Sequence, residues 1–186
     1  MRDPKRVAIL ISGRGSNMRA LVEQAEGYAV ALVVSNNPKA AGLDYARSAG
    51  LETWALDSKG MDKEEFDRKL SAALDTRDVG TIALAGFMRI LSPWFVEEWR
   101  GSIVNIHPSL LPKYRGLDTH ARALEAGDTV SGCSVHVVTE ELDAGEVLGQ
   151  AEVAILPGDT PETLEARVLS AEHELYPRVL SEFARR

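Results

Sequence analysis

Val7-Ala8-Ile9-Leu10-Ile11, running directly into Ser12-Gly13-Arg14-Gly15-Ser16-Asn17, decides the fold. Five apolar residues in a row, without polar alternation, read as a strand covered on both faces, the condition of a parallel sheet. A glycine-bearing turn and a helical stretch over residues 16–24 follow, giving strand, loop and helix in succession. The same rhythm repeats along the chain. Residues 30–34 read as a strand that Ser35-Asn36-Asn37-Pro38 stops, and residues 42–48 as a short helix closed by Gly50. Residues 52–55 read as a weak third strand, and Phe66, Leu70 and Leu74 mark a helix over 62–74. Strands follow at 81–85 and 102–106, with a turn of helix at 93–98 between them. This alternation predicts an α/β fold with a doubly wound, mainly parallel sheet.

The second half changes character. Residues 120–126 read as a helix ended by Gly127-Asp128, and residues 130–138 and 146–155 as two longer strands that pair antiparallel at a sheet edge. Thr160 and Pro161 open the last helix, as N-cap and first helical residue. With no repeat, linker or low-complexity stretch, residues 1–186 read as a single domain.

Composition excludes several classes of function. Hydrophobic residues at 45% and charged residues at 26% are ordinary globular values. Acidic side chains outnumber basic ones by 28 to 21, and no basic run exceeds a pair, so nucleic acid is not expected as a partner. One cysteine, Cys133, excludes an intramolecular disulfide and a multi-thiolate metal site. His107, His120, His136 and His173 have no metal-ligand spacing, so no metal is expected. No apolar stretch approaches the roughly 20 residues a bilayer span needs, which leaves no membrane role and a cytoplasmic location as the expectation.

The glycine turn puts free backbone N–H groups and the positive end of a helix at one spot, a ready anion site. It is not a dinucleotide loop, because Met18 stands where a third small residue is needed and Ser35 and Asn36 stand where an acid should close the second strand. It is not a P-loop, since Gly-Lys-Ser/Thr is absent. Two readings stay open: a tight turn with Ser16 or Asn17 as helix cap, or a phosphate held by Gly13, Gly15, Ser16 and Asn17. Arg14, at the loop tip, either assists or is solvated.

Val104-Asn105-Ile106-His107-Pro108 carries the chemistry. With a period of two, Asn105 and His107 point to one side of the sheet, at the carboxyl end of a strand where such sheets bind ligands. An amide beside an imidazole supplies a neutral donor and a group that titrates near neutrality, the parts needed to hold an oxyanion and move a proton. Asp143, in Leu142-Asp143-Ala144-Gly145, is either a turn former or a carboxylate that returns to the same rim and favours a protonated His107. His136 alternates with Val135 and Val137 and reads as structural, and His120 as the opening of a helix near the site.

Four motifs occur in fixed order: residues 13–17, then Ala85-Gly86-Phe87-Met88-Arg89-Ile90-Leu91-Ser92, then Asn105-Ile106-His107-Pro108-Ser109-Leu110-Leu111-Pro112, then residues 142–145. Together they resemble the glycinamide ribonucleotide formyltransferases, folate-dependent enzymes of purine synthesis, over residues 7–183. The resemblance implies a Rossmann-like formyltransferase fold with Asn105, His107 and Asp143 as the catalytic trio. It assigns Gly13, Arg14, Gly15, Ser16 and Asn17 to the phosphate of the ribonucleotide, and Glu172 to the same substrate. Lys63, Met88, Arg89, Ile90, Leu91, Asn105, Glu140, Glu141, Leu142 and Ala144 would line the site of 10-formyltetrahydrofolate. The substrates would be small molecules, and a homodimer is an assembly open to the chain.

The sequence departs from the family pattern at Arg14, where a small residue or Asn is expected, at Lys63, an Arg in some members, and at Arg115, where Pro is common. Glu172 has support of its own. Leu164, Val168, Leu175, Val179 and Phe183 trace an apolar stripe on the last helix and Glu172 falls on it, so its carboxylate needs a ligand or a core arginine. Pro177 is expected to kink this helix by removing the bond to the carbonyl of His173.

Two relatives in chemistry share the trio. A methionyl-tRNA formyltransferase is expected to carry a second, basic domain, and a formyltetrahydrofolate hydrolase an N-terminal regulatory domain. A non-catalytic nucleotide-binding module would account for the glycine loop but give Asn105, His107 and Asp143 no purpose.

Overall fold

In a computed structural model describing residues 1–186, seven strands form one sheet in the order β3-β2-β1-β4-β5-β6-β7. The first five, β1 (Asp3–Ile11), β2 (Ala29–Ser35), β3 (Thr53–Ala55), β4 (Val79–Leu84) and β5 (Ile103–His107), run parallel. β6 (Val130–Val137) and β7 (Val147–Ala154) add an antiparallel edge on the β5 side. The helices are α1 (Ser16–Glu23), α2 (Ala41–Ser48), α3 (Lys63–Asp75), α4 (Pro93–Glu98), α5 (Thr119–Glu125) and α6 (Pro161–Phe183). Mainly parallel with an antiparallel border, this is the predicted fold class, and no helix is long and apolar enough to cross a membrane.

The sheet separates two apolar layers. Val7, Ile9 and Ile11 face α1, α2 and α6, while Ala8 and Leu10 face α3 and α4, so all five residues of the opening stretch are buried. That is why the stretch shows no polar alternation. β1 starts four residues earlier than its apolar run, because Asp3 pairs with Val79 and its N–H donates to the carbonyl of Asp78. Gly80 permits this: a Cβ there would lie 2.3 Å from the Asp3 backbone.

α6 opens as expected on Thr160, whose hydroxyl accepts the N–H of Thr163 while the Thr163 hydroxyl accepts that of Thr160, a reciprocal cap. The chain stays helical through Pro177. The carbonyl of His173, which Pro177 cannot serve, accepts Gln24 Nε2 at 3.0 Å instead. Further along the same face as Glu172, the buried Tyr176 hydroxyl lies 2.9 Å from the carbonyl of Leu84 and 3.2 Å from that of Val104. This fixes α6 across the last residue of β4 and the first half of β5.

The chain winds outward from β1 to β3, then returns to β4 on the other side of β1. The carboxyl ends of β1, β4 and β5 therefore surround a topological switch point, where the flanking loops diverge and leave a crevice. The glycine turn, residues 85–91 and the Asn105–His107 pair all leave the sheet there.

Candidate active site

β5 delivers Asn105 and His107 to one face, and antiparallel pairing with β6 sets His136 opposite Asn105 and Ser134 opposite His107. Asn105 Nδ2 lies 3.3 Å from His136 Nε2. The other ring nitrogen of His136, Nδ1, is 3.0 Å from the carbonyl of Val137, an acceptor only, so Nδ1 carries the proton. Nε2 must then accept from Asn105, which orients the amide and commits one of its two N–H groups. Burial is the largest influence on His136 and holds it below the usual histidine value, in its neutral form. Sequence reading took His136 as structural. It serves the site by aligning Asn105, and only the β5–β6 pairing could have revealed this.

His107 is buried, and its Nε2 donates to the carbonyl of Tyr114 at 2.9 Å. Its Nδ1 faces Asp143 Oδ2 at 3.5 Å. Asp143 thus returns to the rim, as one of the two sequence readings holds. Its Oδ2 also accepts the N–H of Gly116 at 2.9 Å, and its Oδ1 stands 3.6 Å from His136 Nε2. Asp143 and Tyr114 both have positive φ, 49° and 55°, so the two turns that meet over His107 are strained backbone held by these polar contacts. Gly145 completes the loop: a Cβ there would lie 1.8 Å from the carbonyl of Val137.

A neutral His107 protonated on Nε2 would turn the lone pair of Nδ1 toward a carboxylate. The arrangement places an imidazole and a carboxylate in contact beside Asn105. His120 lies in the first turn of α5, as expected, with its Nδ1 buried and unpartnered and its pKa lowered mainly by burial.

The glycine turn borders a cavity of about 270 Å³ lined by Ser12, residues 13–17, Ala85, Gly86 and Met88. Gly15, in the left-handed region at φ 71°, is the N-cap of α1, and no side chain caps the helix. The alternative in which Ser16 or Asn17 caps it is thereby corrected. Asn17 instead turns inward, and its Nδ2 donates to Glu172 Oε2 at 2.7 Å. Glu172 thus meets an amide beside the cavity, not a core arginine, and burial pushes its carboxyl up. Arg14 is exposed at the rim.

Besides Asn105, the residues assigned to the folate divide into four groups. Met88, Ile90 and Leu142 are large apolar side chains left open to solvent, as is Leu117 beside them in chemistry. Leu91 is packed into the core, so only its backbone is free to meet a ligand. Arg89 is already engaged: its guanidinium donates to the carbonyls of Ser58, Met61 and Asp62 and lies over the Phe66 ring. Lys63 and Glu140 are exposed, and Glu141 pairs with Arg115 at 2.8 Å, while Ala144 is half-buried next to Asp143.

Over nearly its whole length the chain matches known proteins closely. Residues 5–180 match the family model described as formyl transferase. The phosphoribosylglycinamide formyltransferase of Escherichia coli (strain K12) is 47% identical over 96% of this chain and 86% of its own length. The chain belongs to the phosphoribosylglycinamide formyltransferases. A crystal structure of the Brucella melitensis member superposes with a TM-score of 0.91 at 48% identity, covering 99% of this chain and 96% of that one. The trifunctional purine biosynthetic protein adenosine-3 of Drosophila melanogaster is 48% identical over 95% of the chain, yet the chain spans only 14% of that relative's length.

Proposed function

We propose that this formyltransferase, acting as one catalytic domain over residues 1–186, moves the formyl group of 10-formyltetrahydrofolate to the glycinamide amine of glycinamide ribonucleotide, a step of purine biosynthesis. The observation that carries the mechanism is the contact of His107 Nδ1 with Asp143 beside Asn105. In this reading, backbone N–H groups at Gly13, Gly15, Ser16 and Asn17 hold the ribonucleotide phosphate, and Glu172 accepts from its sugar hydroxyls. The exposed side chains of Met88, Ile90 and Leu142 flank the folate ring.

The neutral amine attacks the formyl carbon, forming a C–N bond as the carbonyl π pair moves to oxygen. The uncommitted N–H of Asn105 donates to that oxyanion, and the charge of His107, paired with Asp143, stabilises it. The attacking nitrogen gives up a proton, the leaving folate nitrogen takes one up, and the oxyanion re-forms the carbonyl as the bond from the carbon to that nitrogen breaks. Water beside Asp143 is the route between the two. Family membership, together with the 86% coverage of the Escherichia coli relative, supports the acceptor assignment.

The test is an assay of 10-formyltetrahydrofolate consumption with and without glycinamide ribonucleotide. Consumption should require the ribonucleotide and produce its N-formyl derivative. Equal consumption without it would identify a hydrolase, and no consumption would leave a binding module.

A further inference from the structure

Ser12, the first residue after β1, carries a hydroxyl that is used twice. It accepts the N–H of Met88 at 2.8 Å and donates its only proton to Asn36 Oδ1 at 2.6 Å. Asn36 Nδ2 continues to the hydroxyl of Ser58 at 3.2 Å, and the carbonyl of Ser58 accepts Arg89 Nη1 at 3.4 Å. Arg89 follows Met88 in the chain, so the circuit closes on itself. Its members leave the carboxyl ends of β3, β2, β1 and β4, four neighbours in the sheet. The hydroxyl has no second proton to offer a ligand, which separates its role from catalysis.

We propose that Ser12 is a positioning residue for the formyl donor, holding residues 88–91 in register with the glycine turn through a circuit that Asn36 completes. This rests on the reading of 88–91 as the folate-lining segment. The Ser12 backbone N–H bonds the carbonyl of Gly86 at 3.1 Å regardless of its side chain, so removing the hydroxyl leaves the turn attached to the sheet.

Ser12→Ala should raise KM for 10-formyltetrahydrofolate about fivefold, the worth of one neutral hydrogen bond, with kcat within about twofold. Ser12→Thr, which keeps the hydroxyl, should restore KM. Asn36→Ala, on another strand, should reproduce the Ser12→Ala effect, and the double variant should be no worse than either single one, because both break the same circuit. Calorimetric titration with tetrahydrofolate should rank the four variants and the parent protein in the same order without turnover. Loss of turnover in the parent with that ranking intact would overturn the proposed reaction and leave the positioning role standing. A normal KM in Ser12→Ala, failure of Ser12→Thr to restore it, or additive effects in the double variant would overturn the positioning role. Should Ser12→Ala fold poorly, Asn36→Ala alone decides by the same two readouts.

Discussion

Asn17 and Glu172, 155 residues apart in sequence, share a hydrogen bond of 2.7 Å that ties the first turn of α1 to the middle of α6. Burial raises the Glu172 carboxyl, and the Asn17 amide offsets only part of that. The folded protein therefore holds this proton more tightly than the unfolded chain. The stability linked to it is fully present below the ordinary value of 4.5 and is lost as pH rises through the folded value. Glu172→Gln removes this dependence. In urea titrations at a series of pH values, its stability relative to the parent should climb as pH increases above 4.5. Its KM for the ribonucleotide should rise on the order of tenfold, the worth of a charge-assisted hydrogen bond. A parallel pH profile for the two proteins would contradict the buried-carboxyl argument.

The catalytic assignments separate in turnover. Asn105→Ala should lower kcat by ~10²–10³, the usual loss of an oxyanion donor, and His107→Ala should be at least as severe. Asp143→Asn keeps an acceptor for Gly116 but cannot stabilise an imidazolium, so it should reduce kcat with little change in either KM. Steady-state kinetics at saturating substrates decide this, and losses confined to KM would exclude an oxyanion role for Asn105.

Acid should destabilise the protein through its histidines. His120, His136 and His173 are all held below the ordinary value of 6.5, burial being the first cause in each. A lowered histidine binds fewer protons in the fold, so its contribution is intact above 6.5 and lost as pH falls from there toward the folded value. His173, whose Nε2 is buried without a partner, tests this away from Asn105, His107 and Asp143. His173→Gln should flatten the fall in urea midpoint between about pH 7 and pH 5, while the parent keeps its steeper slope.

Thr160 should matter for stability alone. Thr160→Ala breaks the reciprocal cap of α6 and should cost about 1 kcal/mol in urea unfolding, with kcat unchanged. A kcat loss in this variant would show that α6 adjusts the site from its far end.

The sheet and its site rim were readable because their signals are local. An unbroken apolar run specifies a two-sided strand, and a two-residue period puts Asn105 and His107 together. What stayed hidden depends on pairings between distant segments. His136 faces Asn105 only because β6 joins β5 antiparallel, whereas the sequence suggested its pairing with β7 alone. Asn17 could have capped its own helix, and the choice of Glu172 instead depends on where α6 lands. Arg89 is spent on carbonyls before α3, a geometry that no motif encodes. The return of Asp143 was one of two readings, settled by a loop that Gly145 alone can close.

The hydrogen-bonded circuit through Ser12, Asn36, Ser58 and Arg89 has a thermodynamic consequence. Four loops that would otherwise sample many conformations are ordered before any ligand arrives. The conformational entropy of assembling that wall of the crevice is given up during folding, when the sheet itself forms. Ligand encounter then loses mainly its own rotational and translational freedom, so association should be fast and nearly rigid-body on this wall. Any slow closure would fall to the strained turns at Tyr114 and Asp143 on the opposite side.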